Sequence, residues 1–302
     1  MEHRVSHDGP VSVYRELAPR SELRDVVRAL AWFGPASRTT DNRAVLRELF
    51  VAPGESLAPS FADAHASLVF DLPIIYKAGG WRPSSSLSSA IVMGAVTRAT
   101  YAPTAERAAM IGVYLRPRGI ARLLGVPGSE LTDRGISLNE IWRGFEHDAE
   151  RATLDSVETI LLRRLRDGFP RSADVVADLA SYVRRREGRV SVAAMSELSG
   201  FSRQHLTRLF REQIGIGPKL YARLARFRAA LAYVGGSERA MSWSAISARL
   251  GYADQSHLIA DFREFTSFTP QQMARGECFH PFIGDRIAQL GDHEHEPHAS
   301  VG

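Results

Sequence analysis

VSVAAMSELSGFSRQHLTRLFREQIGIGP (190–218) and MSWSAISARLGYADQSHLIADFREFTSFTP (241–270) follow one physical plan twice. At an offset of 51, Ser191 matches Ser242, Ala194 matches Ala245, Met195 matches Ile246, and Gly200-Phe201 matches Gly251-Tyr252. After the turn the offset becomes 52: Ser202 meets Asp254, Leu206 meets Leu258, Phe210-Arg211-Glu212 meets Phe262-Arg263-Glu264, and Pro218 meets Pro270. One inserted residue in the second turn explains the shift. Each unit reads as a short helix, a tight turn at a glycine that tolerates positive φ, and a second helix capped by Ser202 or Asp254. The spacing therefore predicts two helix-turn-helix units.

The second helix of the first unit places Leu206, Leu209, Phe210 and Gln213 toward a core. Its opposite stripe is Gln204, Thr207, Arg208 and Arg211, all hydrogen-bond donors. In a DNA major groove arginine pairs bidentately with guanine and glutamine with adenine, so this stripe suits base reading. The corresponding stripe of the second unit is Ser256, Ile259, Ala260 and Arg263, preceded by Gln255, and is less polar. Ile259 and Ala260 suit thymine methyls, Gln255 and Ser256 suit bases or phosphates, and Arg263 suits a phosphate. Placement of the protein on the duplex is an equally open role for this second unit.

Between the units, PKLYARLARFRAALAYV (218–234) begins with proline at a helix-compatible first position and ends before Gly235-Gly236. A helix of that length spans roughly 25 Å and can hold two recognition helices about one DNA turn, roughly 34 Å, apart. Arg223, Arg226 and Arg228 are candidates for phosphate contact, with simple solvation the competing and favoured expectation.

The region resembles the two-unit DNA-binding domain of AraC/XylS-type regulators. The resemblance is carried by S-E-L-S-G-F-S-R-Q-H-L-T-R-L-F-R-E, the linker's R-F-R-A-A-L, and G-Y-A-D-Q-S-H-L-I-A-D-F-R-E-F with its following F-T-P. It implies that both second helices enter successive major grooves, with Gln204, Thr207, Arg208, Gln255, Ser256 and Ile259 nearest the bases. Ser267 departs from the pattern, which has glycine after the second recognition helix. Residues 1–166 resemble more loosely the sensory and dimerisation arms of such regulators, most closely in GVYLRPRGIARLLGVPGSELTDRGISLNEIW (112–142).

The expected fold class is α+β. A β-rich, barrel-like N-terminal domain followed by helices occupies 1–170, an all-α domain 171–278, and a disordered tail 279–302. The strand reading rests on LFVAPGES, SLVFDLPIIYKAGG, AIVMGAV and MIGVYLRP, with turn formers between them. ATLDSVETILLRRLRDG (152–168) carries Leu154, Val157, Leu161, Leu162 and Leu165 on one helical face, equally suited to pairing with a second copy or packing on its own domain. Gly168-Phe169-Pro170 supplies the domain boundary.

Formal charge is +4, and the segments divide it as +6 over 171–278, +1 over 1–170 and −3 beyond. The basic excess thus coincides with the repeat, where a polyanionic partner is expected. No apolar run resembles a signal or a membrane span, so a cytoplasmic location is expected. A single cysteine, Cys278, excludes an intramolecular disulfide and any Cys-based metal cluster. A DNA-repair methyltransferase carrying the same type of domain needs reactive cysteines in defined motifs, which Cys278 alone does not supply. A ligand-binding or protein-interaction module with a vestigial DNA-binding domain is the other rival, and the donor-rich stripe argues against it.

The expected partners are double-stranded promoter DNA, a small-molecule effector at the N-terminal domain, RNA polymerase, and a second copy in a homodimer. His65, Tyr76, Trp81, Arg98 and Tyr101 are the candidate effector contacts, chosen as aromatic or ionisable residues near strands, with core packing or exposure the competing role for each. No enzymatic role, cofactor or metal is expected, since His293, His295 and His298 sit in a tail lacking preorganised geometry.

Overall fold

The computed structural model describes residues 12–35, 45–51, 57–60, 63–72, 74–77, 80–83, 89–103, 109–143, 145, 153–167, 174–234 and 241–275. Cys278, the histidine-rich tail and the Gly168–Pro170 boundary lie outside them.

The N-terminal part is built on a seven-stranded antiparallel sheet. Its order is β11 (Gly135–Ser137), β8 (Ser89–Met93), β5 (Ser67–Leu72), β10 (Ala109–Leu115), β2 (Val27–Pro35), β1 (Ser12–Leu17) and β3 (Val45–Val51). The sequence of β10 shows why it is central: Ala109, Ile111, Val113 and Leu115 are buried while the residues between them are half-buried. That alternation matches the two-residue period of a pleated strand. Two ladders stand apart, β4 (Leu57–Ser60) with β9 (Thr100–Pro103), and β6 (Ile74–Lys77) with β7 (Gly80–Pro83). Among the described residues β11 and β3 end the main sheet without pairing to each other, so the expected barrel is an open sheet.

The apolar run SLVFDLPIIYK is divided between the central β5 and the separate β6 ladder. After β10 a helical turn, Pro117–Gly119, runs into a π-helical turn, Ile120–Leu124, that Gly125 closes in the left-handed conformation. Helix α1 (Leu154–Asp167) then packs beside that π-helical turn and the 3-10 turn Ser21–Leu23. Leu154, Val157 and Leu161 are buried in the same cluster as the strand side chains, with Leu162 and Leu165 packed against it. The apolar stripe is therefore used within the chain, and the outward residues Asp155, Thr159, Arg163 and Arg166 are polar. Glu158 is fully buried and is held by Arg20, whose backbone N–H donates to Oε1 at 2.8 Å and whose Nε approaches Oε2 at 3.0 Å.

The C-terminal part is all-α: α2 (Asp174–Arg185), α3 (Val192–Ser199), α4 (Arg203–Gln213), α5 (Pro218–Leu231), α6 (Trp243–Leu250), α7 (Gln255–Thr266) and α8 (Pro270–Ala274). The repeat is reproduced bond for bond at its caps. Ser191, Ser202, Ser242 and Asp254 each accept a bond from the backbone N–H three residues on, at 3.1, 3.2, 3.2 and 2.7 Å. Gly200 and Gly251 end α3 and α6 at φ 71° and 72°, where a side chain would be strained. Met195 and Ile246, Leu206 and Leu258, and Phe210 and Phe262 are all buried in one core. That core also takes in Ala95, with Ala64 packed against it, both from the sheet domain.

Ser267 occupies the left-handed position after α7, at φ 69°, with its N–H donating to the Arg263 carbonyl at 3.0 Å. An L side chain there costs about 1 kcal/mol relative to glycine. Ser267→Gly is therefore expected to raise the unfolding free energy by about 0.5–1 kcal/mol in chemical denaturation. An unchanged or lower value would remove strain from the account. A capping box at Thr269 and Gln272 starts α8 immediately afterwards and explains the F-T-P signature.

Candidate nucleic-acid interface

Helix α4 is amphipathic because its two buried anchors, Leu206 and Phe210, are four residues apart and fix its inner face. The remaining surface carries the donors. Gln204, Arg208 and Arg211 are exposed and Thr207 is half-buried, its hydroxyl donating to the Arg203 carbonyl at 2.8 Å. All four line one open trough of about 550 Å3, together with Arg203 and Glu212. The sequence reading overlooked Arg203, although its place directly after the Ser202 cap puts it at the helix start nearest any groove. It also overlooked Glu212, which pairs with Arg208 at 3.3 Å one turn away. An exposed pair of this kind is worth well under 1 kcal/mol, so Arg208 is readily released to a better acceptor.

Helix α7 presents Gln255, Ser256, Ala260 and Arg263 to solvent. Ile259 is only half-exposed and packs against the core, which limits the area it can offer to a thymine methyl. The two surfaces are thus unequal in charge: three arginines surround the first, and Arg263 stands on the second.

An aromatic-histidine contact is repeated beside both recognition helices. The rings of Phe201 and His205 lie 4.7 Å apart and those of Tyr252 and His257 5.4 Å apart, both edge-on. Burial pushes the Tyr252 phenol far above its ordinary range, and the nearby Asp261 charge adds to the shift. The phenol is therefore neutral at any working pH.

The linker helix α5 buries Tyr221, Leu224, Phe227, Ala230 and Leu231, and ends at Leu231 rather than 234. Its arginines are engaged within the chain, contrary to both expectations for them. Arg223 binds Asp261 at 2.5 Å and Glu264 at 2.7 Å. Burial opposes the Arg223 charge, but its bonds to Glu264 and Asp261 outweigh that and raise its pKa. Arg226 donates to the Gly188 carbonyl at 3.2 Å and stacks over the Tyr252 ring. Arg228 reaches across to Asp63 of the sheet domain at 3.1 Å.

The backbone positions of the five effector candidates are spread over three separate stretches of strand pairing. His65 lies at the domain boundary, its Nδ1 2.7 Å from Asp63, and Arg98 is exposed close to the Asp63–Val96 bridge. Tyr76 and Trp81 are register partners in the β6–β7 ladder, and Tyr101 pairs with Pro59 in the β4–β9 ladder. Burial lowers the His65 pKa against the pull of Asp63, with Arg28 and Arg184 adding to the decrease, so a neutral imidazole donating from Nδ1 fits the site. Burial acts to raise Asp63, but Arg228 and His65 prevail and hold it far below the usual carboxylate range.

Two family models match separate stretches of the chain. Residues 195–276 match a family described as a helix-turn-helix domain, and residues 15–137 match a domain of unknown function. No curated protein matches the chain. Among solved structures, ToxT from Vibrio cholerae aligns over 73% of this chain and 98% of its own at 11% identity and TM-score 0.40. The C-terminal domain of AraT, a response regulator from Geobacillus stearothermophilus, aligns over 38% of this chain and 94% of its own at 17% identity and TM-score 0.33. The xylose-binding transcription activator xylR aligns over 37% of this chain and 29% of its own at 19% identity and TM-score 0.31. No helix among the described residues is long and apolar enough to cross a membrane.

Proposed function

We propose that this chain, which carries an AraC-type helix-turn-helix domain over residues 195–276, is a sequence-specific transcription regulator that inserts α4 and α7 into successive major grooves of promoter DNA. The observation that carries the proposal is the gathering of Arg203, Gln204, Thr207, Arg208 and Arg211 on one open face of a capped helix. That set combines bidentate base readers with phosphate-neutralising charge. Helix α4 does most of the polar reading, and α7 supplies Gln255 and Ser256 with the methyl-sized surface of Ala260.

Arg208→Ala is expected to lose about 1–3 kcal/mol of operator affinity and to relax preference at one base pair, measured by titration against operators mutated singly. Unchanged affinity and preference would overturn the assignment. No catalytic step enters the proposal.

The reading places the chain in the cytoplasm, where promoter DNA and RNA polymerase are met. It gives the sheet domain the regulatory part: a small molecule bound there alters how the paired units engage DNA, and the ties from Asp63 to Arg228 and from Arg118 to Asp178 give that domain a mechanical path to α5 and α2. A homodimer belongs to the proposal, formed by a surface other than the buried stripe of α1. Sedimentation equilibrium at micromolar concentration checks it, and monomer alone would contradict it.

A further inference from the structure

The trough in front of α4 has two walls. One is the recognition helix. The other belongs to the sheet domain and is made by Pro127 and Ser129. We infer that this second wall is part of the DNA interface: one sugar-phosphate strand lies in the trough, and the Ser129 side of the sheet domain touches it. The inference rests on the reading of α4 as a recognition helix and extends the contact surface beyond the helix-turn-helix domain.

Three observations support it. The first is the fixed distance between the walls. Gly128 and Gly215, which follows the end of α4, pack backbone to backbone, so that a Cβ on Gly128 would lie 2.6 Å from the Gly215 nitrogen. A Cβ on Gly215 would lie 2.5 Å from the Thr132 hydroxyl and 2.8 Å from the Gly128 carbonyl. The Thr132 hydroxyl donates to the Gly215 carbonyl at 2.8 Å and also contacts the Gly128 carbonyl at 3.2 Å. The wall is therefore clamped to the recognition helix rather than resting loosely beside it.

The second observation is charge. Arg203, Arg208 and Arg211 line the trough against the single carboxylate of Glu212, an excess that suits a polyanion. Beyond the wall, the exposed Glu130 is accompanied by Arg134, whose guanidinium donates to the Glu130 carbonyl at 3.3 Å. The third is position. Any duplex that seats its major groove on Gln204 and Arg208 must carry its backbone along the flanks of α4, and Pro127–Ser129 occupies one flank. Ser129 is exposed and its hydroxyl is of the kind that binds phosphate oxygens.

The test uses the full-length chain and charge changes at Ser129, a surface position that tolerates substitution. Ser129→Lys is expected to tighten operator binding about tenfold at low salt and to steepen the log affinity against log salt slope by about one. Ser129→Glu is expected to weaken binding about tenfold. Thr159→Lys on α1, outside the trough, is the control for a general change in net charge and is expected to leave the slope unchanged. Identical affinities for the lysine and glutamate variants, or a slope change for Thr159→Lys equal to that for Ser129→Lys, would overturn the inference. A parent chain that binds its operator and loses preference with Arg208→Ala, yet ignores charge at 129, fails this inference alone. A parent that shows no salt-dependent DNA binding fails the functional reading itself.

Discussion

Phe227→Ala is expected to lower the unfolding free energy by about 3–5 kcal/mol, a large share of what holds a domain of this size together. Phe227 is fully buried on α5, with its ring 5.1 Å from that of Phe262 and 5.2 Å from that of Phe265. Both partners belong to α7. The three rings are the joint between the linker helix and the second recognition helix, so truncation removes transfer free energy and leaves a cavity that neighbours on two different helices fill poorly. The same cavity loosens the angle at which α7 is presented. Chemical denaturation measures the first effect; a loss below about 1 kcal/mol would show that the joint is packed by other residues.

Arg223→Ala is expected to cost about 2–3 kcal/mol, less than for a fully buried pair because the guanidinium is partly open to solvent. Asp261 has a side chain only 1% exposed, and Arg223 meets it through both Nε and Nη2, at 3.2 and 2.5 Å. Removing the arginine leaves a buried carboxylate with a second one, Glu264, close by. The diagnostic is the double variant: Arg223→Ala with Asp261→Asn is expected to recover most of the loss, because the penalty lies in the orphaned charge and not in the lost pair. Simple additivity of the two single changes would contradict that explanation. The ion pair is thus a positioning device that fixes α7 against α5, and it explains why the linker arginine is not available to phosphate.

The C-terminal domain was largely legible in the sequence because its instructions are local. A cap three residues ahead of a bonded N–H, a glycine forced to positive φ, and apolar residues at helical spacing each act over one or two turns, and the repeat doubles every one of them. The stripe of Gln204, Thr207, Arg208 and Arg211 followed from the same periodicity. The linker arginines were misread because their partners are remote: Asp261 lies 38 residues from Arg223 and Asp63 lies 165 from Arg228. No spacing rule reports such contacts. The sheet domain was harder for the same reason. The strands β1 and β2, which the apolar runs did not single out, pair with each other beside β10, whose partners β2 and β5 both lie far from it in the sequence. The openness of the sheet depends on which strands end unpaired, and that is a property of the assembled ladder. Likewise the close approach of Gly215 to Gly128 is visible only in space.

The central claim is that the chain reads DNA with the donor-lined face of α4 beside a basic trough. The most direct test is equilibrium binding of the full-length chain to its own operator, identified by genome-wide mapping of bound sites, and to a scrambled duplex, between about 50 and 200 mM salt. The account predicts that log affinity falls linearly with log salt for both duplexes, and that the operator is bound at least about 1,000-fold more tightly than the scrambled duplex. A salt response that is flat, or equal affinity for the two duplexes, would contradict it.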